Sequence, residues 1–236
     1  MKAAEVSGGL GSASAVLWDI DGTLLTSGSV AARAFLDAVE HVTGVPPQVE
    51  GIEFGGRIDP EIATLLLATT GHDAGHVPAV LKRLHDLVQQ NVRALQAQTR
   101  ALPGVRELID RLVDAGIRQT VVTGNIRSVA AMKLAAAELV PPIDPEVGGY
   151  GDSGTTRAEV ATASLVALFG PDWPAQARDC WIIGDTPRDL ACAQALGLRC
   201  ALVATGGTRV EDLDGLGADI VLKGLEIPTD AQRLWG

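Results

Sequence analysis

Positive charge is scarce in this chain: 19 Lys and Arg stand against 29 Asp and Glu, a net charge of −10 over 236 residues. Nucleic-acid and anionic-membrane surfaces need clustered cations, so the balance argues against both as partners. It leaves a small anionic metabolite open, because a metal and one or two local cations can reverse the field inside a pocket. A disulfide framework is lacking as well. The three cysteines, Cys180, Cys192 and Cys200, form no Cys-x-x-Cys pair, and their count is odd. They read as reduced core residues in a reducing compartment. Long apolar runs are missing from the Gly/Ser/Ala-rich start, Met1 to Ser14. That stretch reads as neither signal peptide nor membrane span, and residues 1–13 are expected to be a flexible leader. The expectation is a cytoplasmic protein, monomer or homodimer, without internal repeats.

What the chain does have is 47% hydrophobic content, arranged as short apolar runs alternating with amphipathic stretches. The runs are Ala15 to Trp18, Gln119 to Val122, Cys180 to Ile183, Ala201 to Ala204 and Ile220 to Leu222. Each is apolar along its length and rich in Val and Ile, which predicts strands buried on both faces. Between them, Pro103 opens a helix that Gly116 closes, and further helices are predicted over Ser128 to Leu139, Thr156 to Phe169 and Pro187 to Leu196. This order implies an α/β fold with a doubly wound, Rossmann-like parallel sheet. About a hundred residues separate the first two strands, far more than a crossover needs. The interval is helical in pattern: Ala31 to Val42, a start at Asp59-Pro60-Glu61 with a stop at Gly71, and a longer stretch from Pro78 to Gln98. The expected division is a catalytic core over residues 14–25 and 101–236, with an inserted α-helical cap domain over 26–100.

The polar residues at the predicted strand ends carry the chemistry, since ligands of open parallel sheets bind there. Asp19 and Asp21 follow the first strand, in Asp19-Ile20-Asp21-Gly22-Thr23. Buried carboxylates are costly unless they hold a metal or act as nucleophiles. Thr123, Gly124 and Asn125 follow the second strand, and Gly184, Asp185 and Thr186 a later one, with Asp189 one turn on. Asp19, Asp185 and Asp189 would repel one another unless a cation lay between them, and hard oxygen ligands with room for water suit Mg²⁺. Thr123 and the N–H groups after it can cradle phosphate oxygens. A protein cation should face the metal across the phosphate, with Arg157 the first candidate and Lys133 the second. Arg57 could reach the substrate from the cap, while Asp59 reads as an N-cap with Pro60 in the first turn. Gly206-Gly207-Thr208 lacks a Walker lysine and reads as a plain turn.

Together, Asp19-x-Asp21-Gly22-Thr23, Val121-Val122-Thr123-Gly124-Asn125 and Ile183-Gly184-Asp185-Thr186-Pro187-x-Asp189 resemble the haloacid dehalogenase-like hydrolases. Within them, the chain is similar to the phosphoglycolate phosphatase-like branch with a helical cap. The resemblance implies a Mg²⁺-dependent phosphatase acting on a small phosphomonoester, with phosphoglycolate as the family-level substrate. It makes Asp19 the nucleophile that forms an aspartyl-phosphate and Asp21 the acid and base. Asp19, the Asp21 backbone carbonyl and Asp185 would hold Mg²⁺, Asp189 acting through water or by orienting the shell. Thr123, Gly124 and Asn125 would bind the phosphoryl group. The family usually places a lysine in the stretch Gly151 to Arg157; this chain has none there, so Arg157 is the substitute. A phosphomutase is the alternative enzyme, and a catalytically weak binding or regulatory protein the non-enzymatic one. Asp21 disfavours dehalogenation, and Lys82, the lone lysine between residues 26 and 100, makes a poor Schiff-base candidate for phosphonatase chemistry.

Overall fold

The computed structural model describes residues 9–226 and Leu234. The leader expected over 1–13 lies outside the described residues up to residue 8. Leu10–Ser12 then form a 3-10 turn, and Leu10 is fully buried in the core. The end of the leader is therefore packed, because its one leucine finds an apolar slot. Strand β1 (Ala15–Trp18) follows, buried along its whole length. Its two-residue period sends Val16 and Trp18 into one hydrophobic cluster and Ala15 and Leu17 into another on the opposite face.

Beyond β1, strand β2 (Leu25–Thr26) pairs antiparallel with β3 (Arg100–Ala101), Leu25 opposite Ala101. This short ribbon clips together the points where the chain leaves and re-enters the sheet region. Between its strands lie helices α1 (Val30–Thr43), α2 (Asp59–Thr69), α3 (Val77–Gln90) and α4 (Val92–Gln98). They enclose a hydrophobic cluster around Phe35, Val39, Leu66, Leu84 and Leu95, to which Ile126 and Val129 of the core contribute. The single helix expected over Pro78 to Gln98 breaks at Asn91. There φ is −103° and ψ 20°, and the side-chain amide donates to the Leu87 carbonyl at 2.9 Å. Such side-chain competition for backbone groups ends helices.

The chain then runs through α5 (Val105–Asp114), β4 (Arg118–Val121), α6 (Arg127–Ala136), α7 (Arg157–Phe169), β5 (Cys180–Gly184), α8 (Pro187–Leu196), β6 (Arg199–Val203), α9 (Val210–Leu213) and β7 (Ile220–Leu222). The strands form one sheet in the order β4-β1-β5-β6-β7, every pairing parallel. Residues of α5 and α6 pack on the face that carries Val16 and Trp18; residues of α7 and α8 pack on the other. This is a doubly wound, Rossmann-like core with an inserted helical cap. The winding reverses between β1 and β5, which opens a crevice beyond their carboxyl ends. Cys180, Cys192 and Cys200 are free and buried. Among the described residues, no helix is long and apolar enough to cross a membrane.

Candidate active site

The crevice at the winding reversal receives Asp19 and Asp21 from β1 and Asp185 from β5. Asp19 is 6% exposed and still belongs to the sheet, its N–H donating to the Ile183 carbonyl at 2.9 Å. The next turn passes through Gly22 at φ +84°, where a Cβ would lie 2.6 Å from Asp185 Oδ2. Thr23 Oγ1 donates to Asp185 Oδ1 at 3.4 Å. Gly206 closes in from the loop after β6: a Cβ there would meet Asp185 Oδ2 at 1.7 Å. Thr205 beside it donates its hydroxyl to the Gly22 carbonyl at 2.5 Å. The stretch expected as a plain turn is thus the wall against which Asp185 rests.

Each carboxylate of the first strand has its own cation. Arg157, in the first turn of α7, donates from Nη2 to Asp19 Oδ1 at 2.6 Å and to Asp189 Oδ1. Asp189 is fully buried, and its other oxygen accepts the Thr186 N–H at 3.0 Å and the Thr186 hydroxyl at 2.7 Å. Both its oxygens are therefore engaged, one in capping α8 and one in fixing Arg157. Lys133, on α6, is 4% exposed. Its Nζ lies 2.6 Å from Asp21 Oδ2 and 2.8 Å from Asn125 Oδ1. The Asn125 amide nitrogen donates to Asp21 Oδ2 at 2.7 Å and to Thr123 Oγ1 at 2.9 Å. Thr123, Asn125, Asp21 and Lys133 form one network, in which the Asn125 side chain holds neighbouring residues.

These surroundings drive the acids apart. Burial pushes the Asp19 carboxyl well above the usual range; Arg157 opposes, and Asp189 and Asp185 add to the rise. Burial, with repulsion from Asp189, lifts Asp185 to about 7. Burial pushes Asp21 upward too, but Lys133 and the hydrogen bonds from Lys133, Asn125 and Ser27 outweigh it and hold Asp21 below the ordinary value. Asp21 keeps 43% of its side chain accessible, facing the cavity. Arg157 is held firmly charged: Asp189 and Asp19 more than offset its burial.

The cap reaches the site through the segment from Phe54 to Asp59. Gly124 is needed for that approach, since a Cβ there would lie 1.9 Å from the Arg57 carbonyl oxygen. The Asp59 N–H donates to the Gly124 carbonyl at 2.7 Å. Arg188 and Arg157 donate to the carbonyls of Gly55 and Gly56. Asp59 was expected to cap its own helix. Instead Ile58 is the N-cap of α2, and Asp59 Oδ2 accepts the Ile126 N–H at 2.8 Å, at the start of α6. Burial raises the Asp59 carboxyl to about 7. The Arg57 guanidinium turns to Glu61 and to the Glu53 carbonyl.

A cavity of about 480 Å³ opens between core and cap. Asp19, Asp21, Thr123, Gly124, Asn125 and Asp185 line its core side, with Lys133 and Arg157, and Arg57 lines its cap side. Asp189 lies behind Arg157 and outside the lining. Among the described residues, no three His, Cys, Asp or Glu side chains cluster as a metal cage. Burial raises both Asp19 and Asp185, so a cation placed between them would favour their ionised forms. Two carboxylates supplemented by backbone carbonyl and water suit Mg²⁺, which dehydrates reluctantly. Three features escape a reading by spacing: Lys133 on Asp21, Gly206 on Asp185, and Asp59 on α6. For Lys133 a signal exists, because a lysine flanked at helical spacing by Val129, Ala130 and Leu134 lies on a buried face, where an unpaired ammonium is not tolerated.

Comparison with known proteins agrees with this geometry. The sequence pattern of the haloacid dehalogenase-like hydrolases matches residues 16–194. Protein CbbY of Rhodobacter capsulatus is 29% identical over 211 residues, covering 84% of this chain and 88% of that protein. A phosphoglycolate phosphatase of Nitrosospira multiformis is 28% identical over 214 residues, covering 89% and 92% respectively. The crystal structure of a predicted phosphatase from Clostridium acetobutylicum superposes with a TM-score of 0.69 at 20% identity, over 89% of this chain and 93% of the other.

Proposed function

The chain belongs to the haloacid dehalogenase-like hydrolase family, and we propose that it is a Mg²⁺-dependent phosphatase of small phosphomonoesters working through an aspartyl-phosphate. In this reading residues 14–25 and 101–236 are the catalytic core, 26–100 the cap, and the buried free thiols fit a cytoplasmic setting. The observation that carries it is the pairing of Asp19 with Arg157 and of Asp21 with Lys133 at the crevice where the sheet winding reverses.

Asp19 attacks phosphorus, forming an O–P bond as the ester oxygen leaves. Asp21 gives that oxygen its proton, then takes one from the water that hydrolyses the aspartyl-phosphate. Thr123 and the Gly124 N–H hydrogen-bond the phosphoryl oxygens, and Arg157 faces their negative charge. Asp189 holds Arg157 in place, and Asn125 does the same for Asp21. Asp19, Asp185 and the Asp21 backbone carbonyl would hold Mg²⁺, which when bound neutralises phosphoryl charge and keeps the two buried carboxylates ionised. The test is phosphate release from an aryl phosphate, with Mg²⁺ and with chelator, by the natural protein and by Asp19→Asn. Turnover should need both Mg²⁺ and Asp19; equal turnover in every arm refutes the reading. A phosphomutase would use the same aspartates, but it must also hold a polyol.

A further inference from the structure

The cavity has two unlike ends. Its core end is charged, as described. Its cap end is built from Ala31, Phe35, Leu36, Ile62, Leu66 and Leu84, with Val129 of α6 beside them. At the mouth, Val49 and Phe54 line the cavity while 43% and 36% exposed. A ligand that reached this rim would cover them.

The polar residues on the cap side are few, and each already has a partner. Ser27 donates to Asp21 Oδ1 at 3.4 Å. Asp59 accepts from the Ile126 N–H. Arg57 is bound to Glu61 and to the Glu53 carbonyl. Of the other two cations in the lining, Lys133 is held by Asp21, and Arg157, held by Asp19 and Asp189, faces the phosphoryl group at the core end. A carboxylate on the leaving group, or the hydroxyls of a sugar, would meet a mainly apolar surface at that end and would have to compete for polar groups bonded elsewhere. An unpaired buried charge or hydroxyl is strongly disfavoured. An apolar group there instead gains its full transfer free energy.

We infer that the substrate is a phosphomonoester whose alcohol part is apolar, an alkyl or aryl chain, in preference to phosphoglycolate or a hexose phosphate. This rests on the phosphatase reading above and narrows it. The cap end selects by burying the chain while the phosphoryl group lies among Asp19, Thr123 and Arg157. A volume of about 480 Å³ is far more than a two-carbon acid fills.

The test is kcat/KM with Mg²⁺ for straight-chain alkyl phosphates from ethyl to octyl, alongside phosphoglycolate and a hexose 6-phosphate. The alcohols have closely similar acidity, so differences along the series report binding of the chain. kcat/KM should climb by about fourfold per methylene, equivalent to about 0.8 kcal/mol, until the cap end is filled, and phosphoglycolate should fall below the longer esters. Phe54→Ser, at a rim position that tolerates a polar side chain, should flatten that climb. A flat series, or preference for phosphoglycolate or the hexose phosphate, overturns this inference and leaves the phosphatase reading standing. Phosphate release from none of the esters overturns both.

Discussion

Arg157→Ala removes the cation that separates Asp19 from Asp189. The three side chains are 9%, 9% and 0% exposed, so water cannot take over the arginine's work. Breaking a buried ion pair from one side costs about 3–5 kcal/mol, because the other charge stays buried and unmatched. For a chain of this length each kcal/mol shifts Tm by roughly 2–4 °C, so the variant should melt about 6–20 °C lower near neutral pH. The deficit should depend on pH, with a definite sign. Asp19 already stands above its unfolded value because burial outweighs Arg157, and without the arginine it rises further. The folded variant then binds more protons than the unfolded chain at neutral pH, so its stability increases as pH falls. The gap between natural protein and variant should shrink as pH falls.

Arg157→Lys separates charge from shape. Its ammonium can still stand between Asp19 and Asp189, but it cannot also reach the Gly56 carbonyl, which Arg157 Nη1 contacts at 3.4 Å. It should recover most of the stability and only part of the turnover. Thermal melts at several pH values, with phosphate release measured in parallel, check all of this. A pH-independent deficit, or undiminished turnover in Arg157→Ala, would refute the placement of this arginine as the site's cation.

Lys133→Met should lower kcat roughly tenfold or more with little change in KM. It should also move the limb of the pH profile that follows Asp21 to higher pH, since Lys133 is the main influence holding that acid down against burial. Asp59→Asn keeps an acceptor for the Ile126 N–H and removes a carboxyl raised to about 7. A raised acid makes the natural protein lose stability as pH climbs from about 4 to about 7; urea titrations should show the asparagine variant ahead by on the order of 1–3 kcal/mol at pH 8 and level with it near pH 4. Gly206→Ala drives a Cβ into Asp185, and should raise the Mg²⁺ concentration needed for half-maximal activity by roughly tenfold or more.

Local rules carry the sheet core well. A strand buried on both faces must be apolar throughout, and β1 and β7 have the bounds that their apolar runs predict. The helix over Pro187–Leu196 likewise begins and ends where Pro187 and Gly197 say it should. What spacing does not show is any contact that joins distant segments. The β2–β3 ribbon is too short to leave a pattern. Asp59 has the sequence context of an N-cap and satisfies a different helix, because the cap segment docks on Gly124 with no room to spare. Lys133 suggests itself only as the second candidate for the cation facing the phosphate, and the fold gives it to Asp21 instead.

That gift explains how two aspartates two residues apart can do different work. They project from one strand end toward one crevice, where equal surroundings would leave them with like acidity. Cations from different helices prevent this: Arg157 on α7 takes Asp19, and Lys133 on α6 takes Asp21. Burial still dominates at Asp19, whereas Lys133 prevails at Asp21. Environments that push paired acids apart assign their roles. Lys133 favours the carboxylate form of Asp21, which suits its second task of taking a proton from water; its first task uses the protonated form. Asp19 attacks phosphorus as a carboxylate; burial opposes that form, Arg157 favours it, and a further cation between Asp19 and Asp185 would favour it more. Cation binding then supports the nucleophile, so chelation should slow the same step that Asp19→Asn removes, formation of the aspartyl-phosphate.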